Sequence, residues 1–145
     1  DAFRELGASK GLDVLELSEL AKTDESIDKY LDDQLINFKD DNYVVDSRLA
    51  WHFIKNSFKI YLKAEKSIAA ERILNANRES EKYKTKEEAI QSIIIRSEEE
   101  CERYKSRYNV NLRDFSNYDL VLDSSYIRIE EIVDIIMKTI MELGV

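Results

Sequence analysis

The sequence contains no proline and only three glycines, Gly7, Gly11 and Gly144. Because the turns between short strands depend heavily on these two residue types, their scarcity excludes a many-turned β sandwich and favours helices. Cys101 is the only cysteine, so the chain cannot form an internal disulfide, as is typical of proteins from a reducing compartment. His52 is the only histidine, and the sequence therefore lacks a zinc constellation.

Basic residues are also in short supply, with 22 Lys and Arg against 30 Asp and Glu and a net charge of −8. This balance disfavours a general nucleic-acid-binding surface, although a local arginine cluster can still hold a phosphate. No apolar run approaches the roughly 18 residues that a membrane-spanning helix needs, and the first residues lack the pattern of a signal peptide. From the 145 residues we expect one cytoplasmic domain, with neither nucleic acid nor a membrane among its partners.

Apolar residues recur at helical spacing along most of the chain. This periodicity predicts helices over residues 2–9, 12–21, about 24–39, a brief turn around 49–54, a helix ending near 75, and helices over 86–108 and 129–143. Thr85 is the predicted N-cap of the long helix. In the closing helix the residues expected to lie mostly inward are Ile132, Val133, Ile135, Ile136, Ile140 and Leu143. Residues 76–86 are polar and irregular, which predicts a mobile excursion.

Three short runs rich in β-branched or aromatic residues, 43–46, 58–62 and 118–122, predict strands. Because these runs alternate with helices, we predict an α/β fold with a parallel sheet flanked by helices. Three strands make a thin sheet for this much helix.

The first predicted strand ends on Asp46, Ser47 and Arg48. In open α/β sheets the ligand lies beyond the carboxyl ends of the strands, so Asp46 and Arg48 could hold a bare or metal-bound phosphate. The alternative is that Asp46 caps the next helix and Arg48 is solvated. These residues alone leave both interpretations open.

The long predicted helix carries Arg96, Glu100, Arg103 and Arg107 at i, i+4, i+7 and i+11, on one face. Arg96 and Arg103 lie about 10 Å apart along the axis, a span comparable to a chain of phosphates, and arginine donates bidentate hydrogen bonds to phosphoryl oxygens. The alternative is an exposed helix laced by Arg–Glu pairs with the neighbouring glutamates. Further arginines border predicted strands and loops, which favours a small polyanionic ligand; they are Arg4, Arg48, Arg72 and Arg78.

Several blocks carry a more specific pattern in their order and spacing. They are Phe3-Arg4-Glu5-Leu6, Ile27-Asp28, residues 45–51 (VDSRLAW), residues 59–62 (KIYL), Glu71-Arg72-Ile73, residues 96–99 (RSEE) followed by Arg103-Tyr104, and residues 116–125 (SNYDLVLDSS). Taken together they resemble the cytidylate kinases of the short type, in the P-loop nucleoside-monophosphate kinase superfamily. The resemblance covers essentially the whole chain.

The resemblance implies transfer of a phosphoryl group from ATP, with Mg²⁺, to CMP or dCMP. It implies that Arg4 and Arg48 grip the acceptor phosphate, with Asp46 supporting the site. Arg96 and Arg103 would lie over the transferring phosphoryl group. Glu100 would orient these arginines or touch the acceptor sugar.

The resemblance also implies a division of the chain. Residues 1–41 would form a helical acceptor-binding region and residues 76–95 a short lid, bordered by Arg72 and Arg78 near the ATP, with the rest as the kinase core. Asp28 lies near a base-recognition position, where it could accept from the cytosine amino group or serve only as a helix-surface residue. Leu49 stands where the better-known bacterial form has an acidic residue, so the acceptor stays open.

One departure concerns the phosphate loop. Members of this superfamily begin with a strand, a glycine-rich loop and a helix, and no Gly-x-x-x-x-Gly-Lys-Ser/Thr occurs here. We therefore expect a truncated kinase domain that holds ATP poorly by itself, and whose self-association would be favoured if the first strand is missing. Two alternatives remain: a non-catalytic nucleotide-binding or regulatory relative, and a structural interaction module with arginines in surface ion pairs.

Overall fold

The predicted helices account for most of the fold. A computed structural model describes residues 2–39, 42–76 and 83–144. Its elements are α1 (Ala2–Ser9), α2 (Val14–Leu20), α3 (Glu25–Ile36), α4 (Ala50–Phe53), β1 (Ile60–Lys63), α5 (Lys66–Asn75), α6 (Lys86–Tyr108), a 3₁₀ turn (Phe115–Asn117), β2 (Leu120–Asp123) and α7 (Ile129–Leu143). The predicted bounds of α6 and α7 are confirmed, and the predicted excursion at 76–86 falls mostly outside the described residues. No helix in the described ranges combines the length and apolar character that crossing a membrane requires.

Side chains at the helix ends satisfy backbone groups that the helices leave open. Asp24 caps α3 by accepting a hydrogen bond from the amide of Ser26 at 3.0 Å. Thr85 caps α6, as predicted, by accepting from the amide of Glu88 at 3.1 Å. At the other end of α6, Asn109 takes the left-handed conformation with φ of 54°, which asparagine tolerates better than most residues. Thr85 and Asn109 thus mark the two ends of α6, the helix that carries the predicted arginine face.

The sheet consists of β1 and β2, which run parallel with Ile60 opposite Leu120 and Lys63 opposite Asp123. Both strands were predicted, and each ends one residue further along the chain than expected. A parallel pair needs a long crossover, and α5 and α6, which pack on each other, lie within it. The described chain is thus mostly helical with a small parallel sheet.

The predicted strand at residues 43–46 is wrong. The segment 43–47 is irregular, and the side chain of Val44 is 99% exposed. Within the described ranges the only strand pairing joins β1 to β2. A strand is stable only where a neighbour takes up its backbone N–H and C=O groups. The β-branched residues at 43–46 favour an extended backbone, but no strand in the described chain pairs with this segment.

Two apolar clusters hold the helices together. The first joins α1, α2 and α3 through Phe3, Val14, Leu17, Ala21 and Ile27. The second places Leu49, Tyr104 and Val110 at its centre, with Leu35, Trp51, Phe53, Tyr108 and Leu112 packed around them. The ring of His52 lies among these aromatic side chains, with its centroid 4.9 Å from the ring centroid of Phe53. The second cluster fixes the segment after residue 48 against α6.

The inward face predicted for α7 is only partly present. Ile132 is buried, whereas Val133, Ile135 and Leu143 are exposed. An amphipathic pattern shows that a helix can bury a face, but burial needs a surface to cover it. Among the described residues such a surface reaches only one side of α7.

Candidate active site

The arginine face of α6 is buried. Arg96, Glu100 and Arg103 are each less than one-tenth exposed, so the interpretation of α6 as an exposed helix laced by Arg–Glu pairs is wrong for this face. The helix packs on α2 and α5. On the α2 side, Glu99 accepts a hydrogen bond from Ser18 at 3.1 Å and forms an ion pair with Lys22 at 2.7 Å. Burial of charged residues is costly unless they are paired, and their partners therefore define the site.

Asp28 is the partner of Arg103. It lies on α3 with its side chain 2% exposed, and its Oδ2 accepts from Nε of Arg103 at 2.8 Å. The same oxygen accepts from Nη1 of Arg107. Nη2 of Arg107 donates to the carbonyl oxygen of Ala21, at the end of α2, at 2.9 Å. One carboxylate thus holds two arginines, and the interpretation of Asp28 as a helix-surface residue is wrong.

The terminal nitrogens of Arg103, Nη1 and Nη2, are buried without a hydrogen-bond partner among the described residues. Oδ1 of Asp28 is also buried and accepts no hydrogen bond from the described residues. The guanidinium carbon of Arg103 lies 5.0 Å from the ring centroid of Tyr104. Burial acts to lower the pKa of Arg103, but Tyr104 and Asp28 outweigh it and the pKa is raised, so the group stays cationic. A buried donor without an acceptor costs about 1–3 kcal/mol, and phosphoryl oxygens are acceptors of the right chemistry for it.

Arg48 also reaches α6. Its Nε lies 2.6 Å from Oε2 of Glu100, and its side chain is 46% exposed whereas that of Glu100 is 6% exposed. Leu49, the next residue, is buried in the second apolar cluster with Tyr104, which holds this segment in place. The structure therefore brings Arg48 to the α6 face. Asp46 lies in the irregular segment before it and is exposed.

Three residues beyond the predicted set complete this group: Arg107, Asp32 and Tyr108. The hydroxyl of Tyr108 donates to Oδ2 of Asp32, and burial raises the pKa of both groups. Arg107 was recognised on the arginine face but received no role of its own. Asp28 and Asp32 lie four residues apart on α3, and this spacing was the available signal for an acidic face opposite the basic one.

A second polar group lies at the carboxyl ends of β1 and β2. Nη2 of Arg72 donates to the carbonyl oxygen of Ser124 at 2.5 Å, and Nη1 donates to its Oγ at 3.2 Å. Ser125 Oγ donates to Asp123 at 2.6 Å, which lowers the pKa of Asp123, and accepts from the amide of Glu65 at 2.8 Å. In α/β sheets this edge is where ligands bind. Arg72 thus belongs to a different group from Arg103.

The remaining predicted residues are placed as follows. Arg4 is half-buried on α1, and Arg96 is buried on α6. Arg78 lies outside the described residues. The structure thus pairs Arg48 with Glu100 and Arg103 with Asp28.

Comparisons with known proteins identify the family of this chain. The model of the cytidylate kinase-like family matches residues 4–126. The chain belongs to this family. The cytidylate kinase of Methanothrix thermoacetophila is 39% identical over 125 residues, which are 86% of this chain and 70% of the relative.

Two further relatives differ in their names and in how much of their own length this chain matches. The cytidylate kinase of Methanocaldococcus jannaschii is 36% identical, with 97% of this chain and 80% of the relative covered. The S-adenosylmethionine-dependent nucleotide dehydratase of Lacinutrix mariniflava is 36% identical over 88% of this chain but only 26% of its own length. No solved structure gives a significant match. This chain therefore matches most of the length of a cytidylate kinase and about a quarter of the length of the dehydratase.

Proposed function

We propose that this protein transfers the γ-phosphoryl group of ATP to CMP or dCMP. In that step an oxygen of the acceptor's phosphate forms a bond to the γ-phosphorus as the bond to the β–γ bridging oxygen breaks, and ADP leaves with the electron pair. The observation that carries the proposal is the buried guanidinium of Arg103, whose two terminal nitrogens lack acceptors within the described chain. Phosphoryl transfer depends on positioning and charge stabilisation more than on a protein nucleophile.

The proposed roles follow the positions of the arginines. Arg103 and Arg96 stabilise the charge on the transferring phosphoryl group from the buried face of α6. Arg48, half-exposed and attached to the same face through Glu100, binds the acceptor phosphate together with Arg4, and Asp46 supports it. Glu100 holds Arg48 in place.

We also propose a division of the chain. The helical region of residues 1–41 has its own apolar cluster, joining α1, α2 and α3, and we assign it to acceptor binding. Asp28 belongs to this region, where its Oδ1 is free of partners within the described chain and suits the amino group of cytosine. Arg72 and Arg78 border the proposed lid of residues 76–95, on the ATP side.

ATP and Mg²⁺ are the proposed co-substrate and metal. Arginine donors fit the phosphates of ATP. The described residues contain no group of three or more His, Cys, Asp or Glu side chains placed to hold a metal ion. In phosphoryl-transfer sites Mg²⁺ is held by one or two carboxylates and by the phosphates themselves, and we propose that it enters with ATP.

The test is a coupled assay of ADP release by the full-length protein with ATP, Mg²⁺ and each nucleoside monophosphate in turn. We expect turnover with CMP or dCMP that exceeds turnover with AMP, GMP and UMP. Arg103→Met should lower kcat by about 100-fold or more, in the range seen when one charge-stabilising donor is removed. The matched control is Lys105→Met, an exposed cation on the same helix, which should leave kcat unchanged. Absence of turnover with every monophosphate would refute the proposal.

A second candidate is a non-catalytic protein that binds nucleotide. It is favoured by one observation: these residues contain no Gly-x-x-x-x-Gly-Lys-Ser/Thr loop for the phosphates of ATP. We accordingly expect this chain by itself to turn over poorly. Calorimetry with CMP separates the two candidates, because the non-catalytic protein binds CMP while the full-length chain shows no ADP release. The buried pair of Arg103 and Asp28 disfavours a purely structural module with surface ion pairs.

A further inference from the structure

We infer that Arg107 is a positioning residue: acting through Asp28, it fixes the guanidinium of Arg103 so that Nη1 and Nη2 of Arg103 are directed to a phosphoryl group. This inference rests on the proposed function. Arg107 itself has no contact with the phosphoryl group in this arrangement. The sequence pattern placed Arg107 on the arginine face of α6, and the inference gives it a role there.

The geometry shows how Arg107 acts. Its two terminal nitrogens are both engaged, Nη1 with Oδ2 of Asp28 and Nη2 with the carbonyl oxygen of Ala21 at 2.9 Å. Ala21 caps α2 and is fully buried. Arg107 therefore ties the end of α2 to α3 and holds the carboxylate of Asp28 between two helices. Asp28 in turn takes only Nε of Arg103, at 2.8 Å.

Arg103 uses only one of its three nitrogens to bind Asp28. A bidentate pair of an arginine with a carboxylate would use two of its nitrogens. Here Arg107 occupies the same oxygen of Asp28, and Arg103 contributes Nε alone. Both terminal nitrogens of Arg103 remain buried without acceptors in the described chain. A planar guanidinium held by Nε presents its opposite edge as a two-pronged donor, which matches two phosphoryl oxygens.

Lysine cannot replace Arg107 in this role. Its ammonium is a single point, whereas the guanidinium of Arg107 reaches Asp28 and Ala21 in two directions. Arg107→Lys therefore keeps the charge and most of the volume while losing one of the two attachments. It provides a conservative variant if Arg107→Met fails to fold.

The test is a double-mutant cycle on the full-length protein. We compare wild type, Arg107→Met, Arg103→Met and the double variant, with Lys105→Met as the exposed control on the same helix. Arg107→Met should lower kcat by about tenfold or more, because the interaction lost acts in the transition state. KM for CMP should change by less than about threefold, because Asp28 keeps its hydrogen bond from Nε of Arg103 in this variant. In the Arg103→Met background the same change should have no further effect on kcat per folded molecule, since Arg107 reaches the phosphoryl group only through Asp28 and Arg103.

A merely structural role gives a different pattern. If Arg107→Met lowers kcat equally in the presence and absence of Arg103, or leaves kcat unchanged, the inference is overturned. If Arg107→Met does not fold, as judged by circular dichroism, the same cycle is run with Arg107→Lys. The deciding result is non-additivity in kcat per folded molecule, with the folded fraction measured by circular dichroism under assay conditions, because Arg103 and Arg107 share Asp28 and their effects on stability can be non-additive as well.

A readout without catalysis separates this inference from the proposed function. Inorganic pyrophosphate, titrated calorimetrically, should bind wild type and bind Arg107→Met and Arg103→Met about tenfold or more weakly, with no further weakening in the double variant. Wild type that turns over no monophosphate but shows this binding pattern refutes the kinase and supports the positioning. Turnover with binding that does not depend on Arg107 refutes the positioning and leaves the kinase intact.

Discussion

The replacement of Asp28 by asparagine gives the sharpest test of the buried ion group. The change keeps the shape of the side chain and removes its charge. Asp28 is 2% exposed and its Oδ2 takes hydrogen bonds from both Arg103 and Arg107. The variant therefore leaves two buried or half-buried guanidiniums without a counter-ion.

The expected loss of stability follows from that burial. Removing one partner of a buried ion pair costs about 3–5 kcal/mol, mostly because the remaining charge stays desolvated. For a domain of this size a loss of 1 kcal/mol lowers Tm by about 3 °C, so Asp28→Asn should lower Tm by about 10–15 °C. Since small domains have only about 5–15 kcal/mol of stability in total, the variant should be folded but marginal at 25 °C.

The assay is urea unfolding followed by circular dichroism, with thermal melting as a second readout. The matched control is Asp33→Asn on the same helix, which is exposed and should change the free energy of unfolding by less than about 0.5 kcal/mol. If Asp28→Asn lies within 1 kcal/mol of this control, Asp28 is not the counter-ion of the two arginines and the description of the site fails.

Two further predictions concern ligand affinity and pH. Arg48→Met should weaken CMP binding, measured by calorimetry, by about tenfold or more, which corresponds to the loss of one charged hydrogen bond. The exposed control Arg113→Met should leave the affinity unchanged. If the two variants bind CMP equally well, Arg48 does not belong to the acceptor site. Burial raises the pKa of Tyr118 to about 12, above the ordinary tyrosine value of about 10. As pH rises between these values, Tyr118 loses its proton in the unfolded chain before it does so in the folded one. The free energy of unfolding, and with it the urea midpoint, should therefore fall over this pH range. Tyr118→Phe should make this fall shallower and Tyr30→Phe, at an exposed site, should not; identical slopes would contradict the assigned burial.

Local features were predictable because they depend on few neighbours. Thr85 before an apolar-periodic run fixed the start of α6, and the heptad-like spacing of Arg96 and Arg103 placed them on one face. Both depend on residues within the same helix. Their prediction therefore needed no knowledge of which other element covers that face.

Features that depend on a distant partner were not predictable in the same way. Arg103 and Asp28 are 75 residues apart in the chain, and no periodicity links them. The wrong strand at residues 43–46 and the exposed Val133 on α7 have the same cause. In each case the sequence pattern predicted a helix face or a strand that could pack against a neighbour. Which element packs there, if any, is decided by the tertiary fold.

Stability alone does not account for the group around Asp28. Buried ion pairs can often be replaced by apolar residues of similar volume with no loss, and sometimes with a gain, of stability. Here the arrangement is less favourable than an ordinary buried pair, because both terminal nitrogens of Arg103 lack acceptors in the described chain. Residues that store an unfavourable free energy are concentrated at functional sites, where a ligand supplies the missing interaction. The two open donors of Arg103 therefore favour an oxyanion as the group that completes the site, which is the chemistry that the proposed phosphoryl transfer requires.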